Sequence, residues 1–286
     1  MTRAKLYPTL LVALSVLLVA SLAGGALILR ALFLYQDNHP PSSPFVAGKC
    51  KAPALVAHWN FDEVTNAETR DSTPYANHAR LEVTRRPLAE LRYGLPRHVA
   101  GIRGKALELE KHHWVSAENN DCFTTDRFTF AAWVWLEETG NTPTIASKSS
   151  WTHDGWWLMT TTKGPQANDR YLDLGISWGS GRTHIESGYQ LALREWHHIA
   201  LTVDNTRGEV RFFIDGKPFG PRHTNVPRWL VNWDQNFVVG DYDGSTRWPW
   251  IGKLDDVQFY NYALPDTEAA ALYLSSGGSL SLPGGR

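Results

Sequence analysis

Apolar and polar residues alternate most clearly between residues 196 and 217. The sequence IALTV at 199–203 has a branched apolar residue at every second position, and VRFFI at 210–214 repeats this pattern. Alternation with period two in β-branched and aromatic residues predicts strands with one buried face. The intervening NTRG at 205–208 includes a glycine that can adopt positive φ, and Asp215-Gly216 is a second turn signal. The stretch therefore predicts an antiparallel hairpin.

Similar short runs recur along the chain, separated by Gly, Pro, Asn and Asp. Strands are predicted over 55–61, 79–83, 105–110, 114–117, 128–136, 144–148, 155–161, 171–178, 184–187, 237–240 and 252–259. The segment from Thr84 to Ala100 is predicted to be a loop, and one helix is predicted after Pro265. Many short strands with almost no helical period predict an all-β fold, an antiparallel jelly-roll β-sandwich over residues 54–274. The Ser/Gly/Pro-rich residues 275–286 are predicted to be a disordered tail.

The first 35 residues are mainly apolar, and their apolar and polar residues do not alternate. No charged residue occurs between Pro8 and Leu29, and these 22 residues span about 33 Å as a helix, close to the roughly 30 Å core of a bilayer. We therefore predict that a single transmembrane α-helix within residues 1–35 precedes the sandwich; the alternative is a cleaved signal peptide. Arg3 and Lys5 precede the apolar run and favour a cytoplasmic N-terminus.

Small residues in this predicted helix would allow a second membrane helix to approach closely. They are Ala20, Ser21, Gly24 and Gly25.

Residues 36–53 are rich in Pro and Ser and predict an extended linker. The predicted location is the bacterial inner membrane, crossed once, with the C-terminal domain on the periplasmic or extracellular side.

The amino-acid composition limits the classes of molecule that the protein is expected to bind. The chain has 286 residues and a net charge of −1, which offers no basic face for nucleic acid. Its 13 tryptophans can fill a wide sandwich core or line a surface for sugars. The two cysteines, Cys50 and Cys122, can pair as a disulfide in an oxidising compartment; the alternative is two unpaired thiols.

Several sequence blocks occur in the order in which a known family has them. They include VAHWNFDE at 56–63, DSTPYANHA at 71–79, GKALEL at 104–109, FTFAAWV at 128–134, WHHIA at 196–200, FIDGK at 213–217 and GKLDDVQFYNYAL at 252–264. Together they resemble the LamG-like jelly-roll domains of the concanavalin A-like lectin/glucanase superfamily. The resemblance covers nearly all of residues 54–274, and it implies the fold far more than the function.

The resemblance also implies a structural calcium ion near the first and last strands, because relatives often carry one. The candidate oxygen ligands, of the type calcium prefers, are Asp62, Asp71, Asn77 and Asp255. The alternative is that these side chains build turns and accept backbone hydrogen bonds. Two adjacent histidine pairs, at 112–113 and 197–198, do not indicate zinc, because neighbouring side chains of a strand point to opposite faces.

The sequence motifs typical of catalytic sites are weak, so we predict that the protein is not an enzyme. Glycosidases need paired carboxylates, and the nearest runs are Glu108 with Glu110, in a structural strand, and Asp169 with Asp173, which lack a third carboxylate. Aromatic residues in predicted loops are stronger candidates, because indole rings stack on sugars or anchor protein interfaces. The candidates are Trp151, Trp229, Trp233, Arg247, Trp248 and Trp250. The alternative is that several of these rings fold back onto the core.

These patterns predict a membrane-anchored, extracytoplasmic interaction module without catalytic activity. The first hypothesis is an accessory subunit that docks on a membrane protein complex. The alternative is a surface lectin that binds glycans through the Trp-rich loops, with or without calcium. A degenerate glycoside hydrolase is a third hypothesis.

Overall fold

The computed structural model describes residues 48–65, 67–84, 94–137, 142–150, 153–161, 170–179, 181–229 and 234–279. The strands, in chain order, are β1 Leu55–Trp59, β2 Val64–Thr65, β3 Glu68–Thr69, β4 Ala79–Val83, β5 Arg97–Ala100, β6 Lys105–Leu109, β7 His113–Ala117, β8 Arg127–Leu136, β9 Thr144–Ser150, β10 His153–Thr161, β11 Tyr171–Trp178, β12 Gly181–Gln190, β13 Trp196–Asp204, β14 Glu209–Ile214, β15 Lys217–His223, β16 Phe237–Val239 and β17 Gly252–Tyr260. A single helix in this part of the chain, α1, spans Asp266–Ser275.

These strands form two packed antiparallel sheets, which confirms the predicted sandwich. The first sheet has the order β15-β14-β13-β8-β17-β6-β5, with β1 paired to β17. The second sheet has the order β12-β11-β10-β9-β16-β7-β4-β3-β2. Strands far apart in sequence are neighbours in both sheets, because the jelly-roll path crosses repeatedly between them.

The core lies between the two sheets and is rich in aromatic rings. Phe128 of the first sheet stacks on Trp156 of the second with their ring centroids 4.5 Å apart, and Phe237 stacks on Phe123 at 5.0 Å. Trp59 is completely buried at one end of this cluster and donates its indole hydrogen to the Asn77 carbonyl at 2.9 Å. Several of the tryptophans therefore serve the core, one of the two uses the composition allowed.

The predicted hairpin over 196–217 is present as β13 and β14. Ile199 pairs with Ile214 and Val203 pairs with Val210, in an unbroken antiparallel register. Gly208 has a φ of 66°, and a Cβ at this residue would lie 2.6 Å from the Val226 carbonyl oxygen. The glycine in the predicted turn is therefore required both by backbone conformation and by space.

Four strands lie where the sequence predicted none: the two-residue strands β2 and β3 of the second sheet, and β5 and β15 of the first. Strand β5 falls within the segment from Thr84 to Ala100 that we predicted to be a loop; residues 85–93 lie outside the described part. Strand β15 contains Pro218 and Pro221, which weaken a strand signal but are tolerated at a sheet edge, where no partner needs their missing N–H. The first sheet is therefore wider than predicted.

Helix α1 packs on the outer face of the first sheet, where Ala269 and Leu272 contact Phe213. The chain stays ordered past the helix, because the Trp133 indole donates to the buried Ser276 carbonyl at 2.9 Å. The predicted tail is therefore corrected at its start: residues 275–279 belong to the domain. Residues 280–286 lie outside the described part of the chain.

The described chain begins at residue 48, so the predicted anchor and the contact residues Ala20, Ser21, Gly24 and Gly25 lie outside it. Within the described residues, no helix combines the length and apolarity needed to cross a bilayer. Residues 48–53, which we predicted to be linker, are attached to the sandwich. Cys50 forms a disulfide with Cys122, with their Cα atoms 4.9 Å apart.

Candidate functional site

An aromatic cluster lies on the outer face of the second sheet. In β10, Trp156 and Leu158 point into the core, so Trp157 and Met159 point outward. Both outward side chains are only 6% exposed, because Tyr242 from the segment between β16 and β17 covers them. We call Trp157, Met159, His184, Tyr242 and Trp248 the aromatic cluster.

The rings of the aromatic cluster meet edge to face. Tyr242 lies 5.4 Å from Trp157 and 4.9 Å from Trp248, with interplanar angles of 82° and 90°. His184 also meets Trp157 edge to face, with ring centroids 5.8 Å apart. Arg247 lies over the Trp248 ring, with its Cζ atom 5.6 Å from the ring centroid. Trp248 is half-buried and His184 is exposed, so the cluster has a buried base and an accessible rim.

The strand below the cluster fits the Trp157 ring. Gly175 of β11 is the cross-strand partner of Trp157, and a Cβ on Gly175 would lie 2.0 Å from Trp157 Cε2. The missing side chain therefore gives the indole room to lie against the sheet. The Trp157 N–H donates to Met159 Sδ at 2.9 Å, which fixes the orientation of the ring.

Hydrogen bonds to its backbone hold the segment from Asp241 to Trp250 against the sheet. Asp241 Oδ2 accepts the Thr246 N–H at 2.7 Å, and the Trp248 carbonyl accepts the Thr144 N–H at 3.0 Å. The Ser147 hydroxyl donates to the Tyr242 carbonyl. Asp241 is fully buried, and this burial raises its pKa to about 6. The segment is therefore a folded part of the domain that presents Tyr242 and Trp248 in fixed positions.

Polar groups lie beside the rings. His184 Nδ1 is 3.3 Å from Asp173 Oδ2, and the Thr161 hydroxyl donates to the same oxygen at 3.4 Å. Burial raises the pKa of the Tyr242 phenol, so the hydroxyl stays neutral and shares a hydrogen bond with Ser149 at 3.3 Å. The site thus combines apolar ring surface with hydroxyl, imidazole and carboxylate groups, and it suits a ligand with both apolar and polar faces.

The predicted binding residues separate into three groups. Trp248 and Arg247 lie at the rim of the aromatic cluster. Trp229 and Trp250 are 5% and 0% exposed and belong to the core, so their prediction as binding residues is wrong. Trp229 folds inward because its backbone exchanges hydrogen bonds with the Asn205 side chain at 2.9 and 3.2 Å. Trp151 and Trp233 lie outside the described residues.

Sequence reasoning missed Trp157, His184 and Tyr242. The signal for Trp157 is present, because two adjacent tryptophans in a strand must point to opposite faces, so one of them points outward. The sequence carries no comparable signal for Tyr242, which reaches the cluster from a segment 85 residues further along the chain.

The four residues predicted to bind calcium lie in two pairs, each at its own turn. Asp71 accepts hydrogen bonds from the His58, Thr73 and Asn77 backbone at 2.8–2.9 Å, and it builds the turn that follows β3. The Asn77 side chain donates to the Val56 carbonyl.

Asp62 and Asp255 lie at a different turn, between β5 and β6. Asp62 Oδ1 accepts the Lys105 N–H at 2.7 Å, and Asp255 Oδ2 accepts the Ile102 N–H at 2.8 Å. Within the described residues, the one group of three His, Cys, Asp or Glu side chains close enough to share an ion is Cys50, Asp121 and Cys122, two of which form the disulfide. The four candidates fit turn building better than a shared cation.

Two grooves elsewhere are mainly polar. One of about 250 Å³ is lined by Asn77, Asn119 and Asn120 with the Arg80–Glu118 ion pair, and its lining in the described residues includes no Trp, Tyr or Phe side chain. A larger groove of about 580 Å³ lies beside the disulfide, with Tyr262 as its one aromatic side chain. Neither groove offers the ring surface of the aromatic cluster.

Comparisons with known proteins agree with the architecture. Residues 109–270, more than half of the chain, match the family model described as the concanavalin A-like lectin/glucanases superfamily. Domain 4 of AbnA, an extracellular arabinanase from Geobacillus stearothermophilus solved in complex with arabinotriose, is 22% identical, with a TM-score of 0.60 over 78% of this chain and 100% of that one. A search of curated proteins finds no match.

Two further structures share the fold at lower identity. The binding domain of Paraclostridial Mosquitocidal Protein 1 is 16% identical, with a TM-score of 0.57 over 77% of this chain and 52% of that one. A structure of botulinum neurotoxin type C, whose cell entry depends on interaction with two ganglioside molecules, is 11% identical, with a TM-score of 0.50 over 78% and 51% of the two chains. At these identities the likeness concerns the fold alone.

Proposed function

The chain belongs to the concanavalin A-like lectin/glucanase superfamily, and on that premise we propose that its sandwich is a non-catalytic carbohydrate-binding domain with its ligand at the aromatic cluster. The single observation that carries the proposal is the accessible rim formed by Trp248, Arg247 and His184 over the buried base of Trp157 and Tyr242.

The chemistry of sugars explains why this arrangement suits them. A sugar ring has C–H groups on one face and hydroxyls around its edge, so it stacks on an indole while polar side chains bind the edge. Trp248 provides the indole, and His184, which is paired with the buried Asp173 and contacts the Trp157 ring, provides a hydrogen-bonding group of the same cluster. Because Tyr242 and the Asp241 turn fix the position of Trp248, little side-chain entropy is lost on binding.

Fold-level likeness supports this proposal over the accessory-subunit hypothesis. Domain 4 of the arabinanase was solved with arabinotriose, and the similar structure of Paraclostridial Mosquitocidal Protein 1 is its binding domain. The accessory-subunit hypothesis depends on the helix predicted within residues 1–35, which lies outside the described part of the chain. Membrane anchoring and an extracytoplasmic location stay predictions, and they place the proposed site where external glycans are accessible.

The test is glycan-array binding by the full-length protein in mild detergent. We expect binding by the wild type and up to about tenfold weaker binding by Trp248→Ala, since one stacked aromatic ring contributes about 0.5–1.5 kcal/mol beyond its buried area. Phe219→Ala is the matched control, because Phe219 is an exposed aromatic residue on the edge strand β15. Repeating the array with EDTA tests the predicted calcium dependence. Folded wild-type protein that binds no glycan would contradict the proposal.

A further inference from the structure

A pair of partly accessible indoles lies on the outer face of the first sheet. Trp135 of β8 and Trp196 of β13 are direct cross-strand partners, with ring centroids 5.8 Å apart and an interplanar angle of 64°. Both rings are half-buried, and Leu193 beside them is 37% exposed. We call Trp135, Trp196, Glu137, Arg194 and Lys253 the indole patch.

The indole patch lies beside the part of this sheet face on which helix α1 packs. Trp133 points to the same face two residues before Trp135, but it is buried against Tyr273 and donates its N–H to Ser276. Further along the strand, the Trp135 ring contacts Trp196 and Lys253, and none of its ring contacts within the described residues is with helix α1. The sheet therefore leaves two large rings partly exposed, although tryptophan side chains are highly buried on average.

Charged groups hold the Trp135 ring in place. Glu137 Oε2 accepts the Trp135 N–H at 2.9 Å, and Glu137 Oε1 accepts the Arg194 Nε–H at 2.9 Å. Lys253 Nζ lies 4.5 Å from the centroid of the Trp135 ring. The hydrogen bonds from Trp135 and Arg194 lower the pKa of Glu137, so its carboxylate stays ionised in mildly acidic solution. Both Glu137 oxygens thus have defined partners, and each can accept a further hydrogen bond.

The indole patch repeats the components of the aromatic cluster. Each site has two rings in an edge-to-face arrangement, a cation lying against one ring, and a basic side chain paired with a carboxylate. In the aromatic cluster these are Tyr242 with Trp248, then Arg247, then His184 with Asp173. In the indole patch they are Trp135 with Trp196, then Lys253, then Arg194 with Glu137.

We propose that the indole patch is a second saccharide-binding site, which makes the domain bivalent with one site on the outer face of each sheet. The inference rests on the proposed function, because it assigns the same class of ligand to a second surface. A sugar ring stacks on Trp196, the indole that Lys253 does not cover, and its hydroxyls bind Glu137 and Arg194. Two sites on opposite faces bridge two glycan chains and strengthen attachment to a multivalent surface through effective concentration.

The test is the binding stoichiometry of the full-length protein in detergent. Isothermal titration uses arabinotriose, maltotriose, cellotriose and sialyllactose as probes, with wild type, Trp196→Ala, Trp248→Ala and the double variant. We expect two sites per wild-type chain, one site in each single variant and none in the double variant. Phe219→Ala is the control and should retain both sites. If Trp196→Ala does not fold, Glu137→Gln, which keeps the side-chain size, replaces it and should weaken one site about tenfold.

The outcomes separate the two proposals. One site per chain, unchanged in Trp196→Ala and lost in Trp248→Ala, overturns the second site and leaves the proposed function in place. Loss of all binding in Trp196→Ala, with none lost in Trp248→Ala, overturns bivalency and the assignment of the aromatic cluster. No binding of any probe by folded wild-type protein overturns both proposals.

Discussion

Reduction of the disulfide between Cys50 and Cys122 is expected to destabilise the domain. The bond joins residues separated by 72 positions, and in the chain-entropy model closing a loop of that length restricts the unfolded chain by about 4 kcal/mol at 25 °C. The folded state should change little, because Asp121 still accepts the Gly48, Lys49 and Cys50 N–H groups at 2.6, 3.1 and 3.2 Å. The loss therefore comes mainly from the unfolded chain.

The measurement is thermal unfolding of the full-length protein in detergent, with and without a phosphine reductant. For a domain of this size, each kcal/mol shifts Tm by about 2–4 °C, so complete reduction should lower Tm by about 8–16 °C. Comparing oxidised and reduced wild type keeps all side chains the same, which matters because Cys122 is fully buried and a substitution would also disturb the core. The variant with both Cys50→Ala and Cys122→Ala is the control, and the reductant should not shift its Tm.

An unchanged Tm in protein whose two thiols both react with a thiol reagent after reduction would contradict this expectation. That result would mean that the unfolded chain already keeps residues 48–53 near residue 122, so closing the loop restricts nothing further.

Two further predictions concern single side chains. Gly175→Ala should weaken glycan binding several-fold and destabilise the domain by about 1–3 kcal/mol, because its Cβ would displace the Trp157 ring; Gly94→Ala, where a Cβ meets no atom within 4 Å, should change neither array binding nor Tm. Burial raises the pKa of Asp255 to about 7, so its contribution to stability is fully present below the unfolded pKa, near 3.8, and is lost as pH rises through 7. Between pH 5 and pH 8, the free energy of unfolding of Asp255→Asn, measured in urea, should therefore rise relative to that of the wild type by on the order of 2 kcal/mol. A difference between the two proteins that does not change with pH would contradict this expectation.

Much of the fold is readable from local pattern. Strand β13 and its partner β14 follow directly from alternating apolar residues, because successive side chains of a strand always point to opposite faces. Strand β15 is not readable in this way, since its prolines resemble a turn. It becomes a strand because β14 supplies partners along one side and its other edge is unpaired in the first sheet.

The candidate site is less readable, because loop residues do not reveal which way they point. Trp248 and Trp250 are two residues apart and equally attractive in sequence, but Trp250 fills the core while Trp248 remains at the rim. The difference arises from the Asp241 turn and the hydrogen bond between the Trp250 N–H and the Gly240 carbonyl at 2.8 Å. Carboxylates are ambiguous for a similar reason: Asp62 and Asp255 resemble metal ligands until their backbone partners are known.

By itself, the sequence determined that the domain is an antiparallel sandwich of one superfamily, with a hairpin at 196–217 and a C-terminal helix, since side-chain alternation and turn residues act over a few neighbouring positions. Only the tertiary structure decided which tryptophans are accessible, which acidic residues build turns and how far the domain extends at either end. Those outcomes depend on contacts between distant segments, such as Trp157 with Tyr242, Trp135 with Trp196 and Cys50 with Cys122. Burial and hydrogen bonding are properties of the packed chain, and no local pattern specifies them.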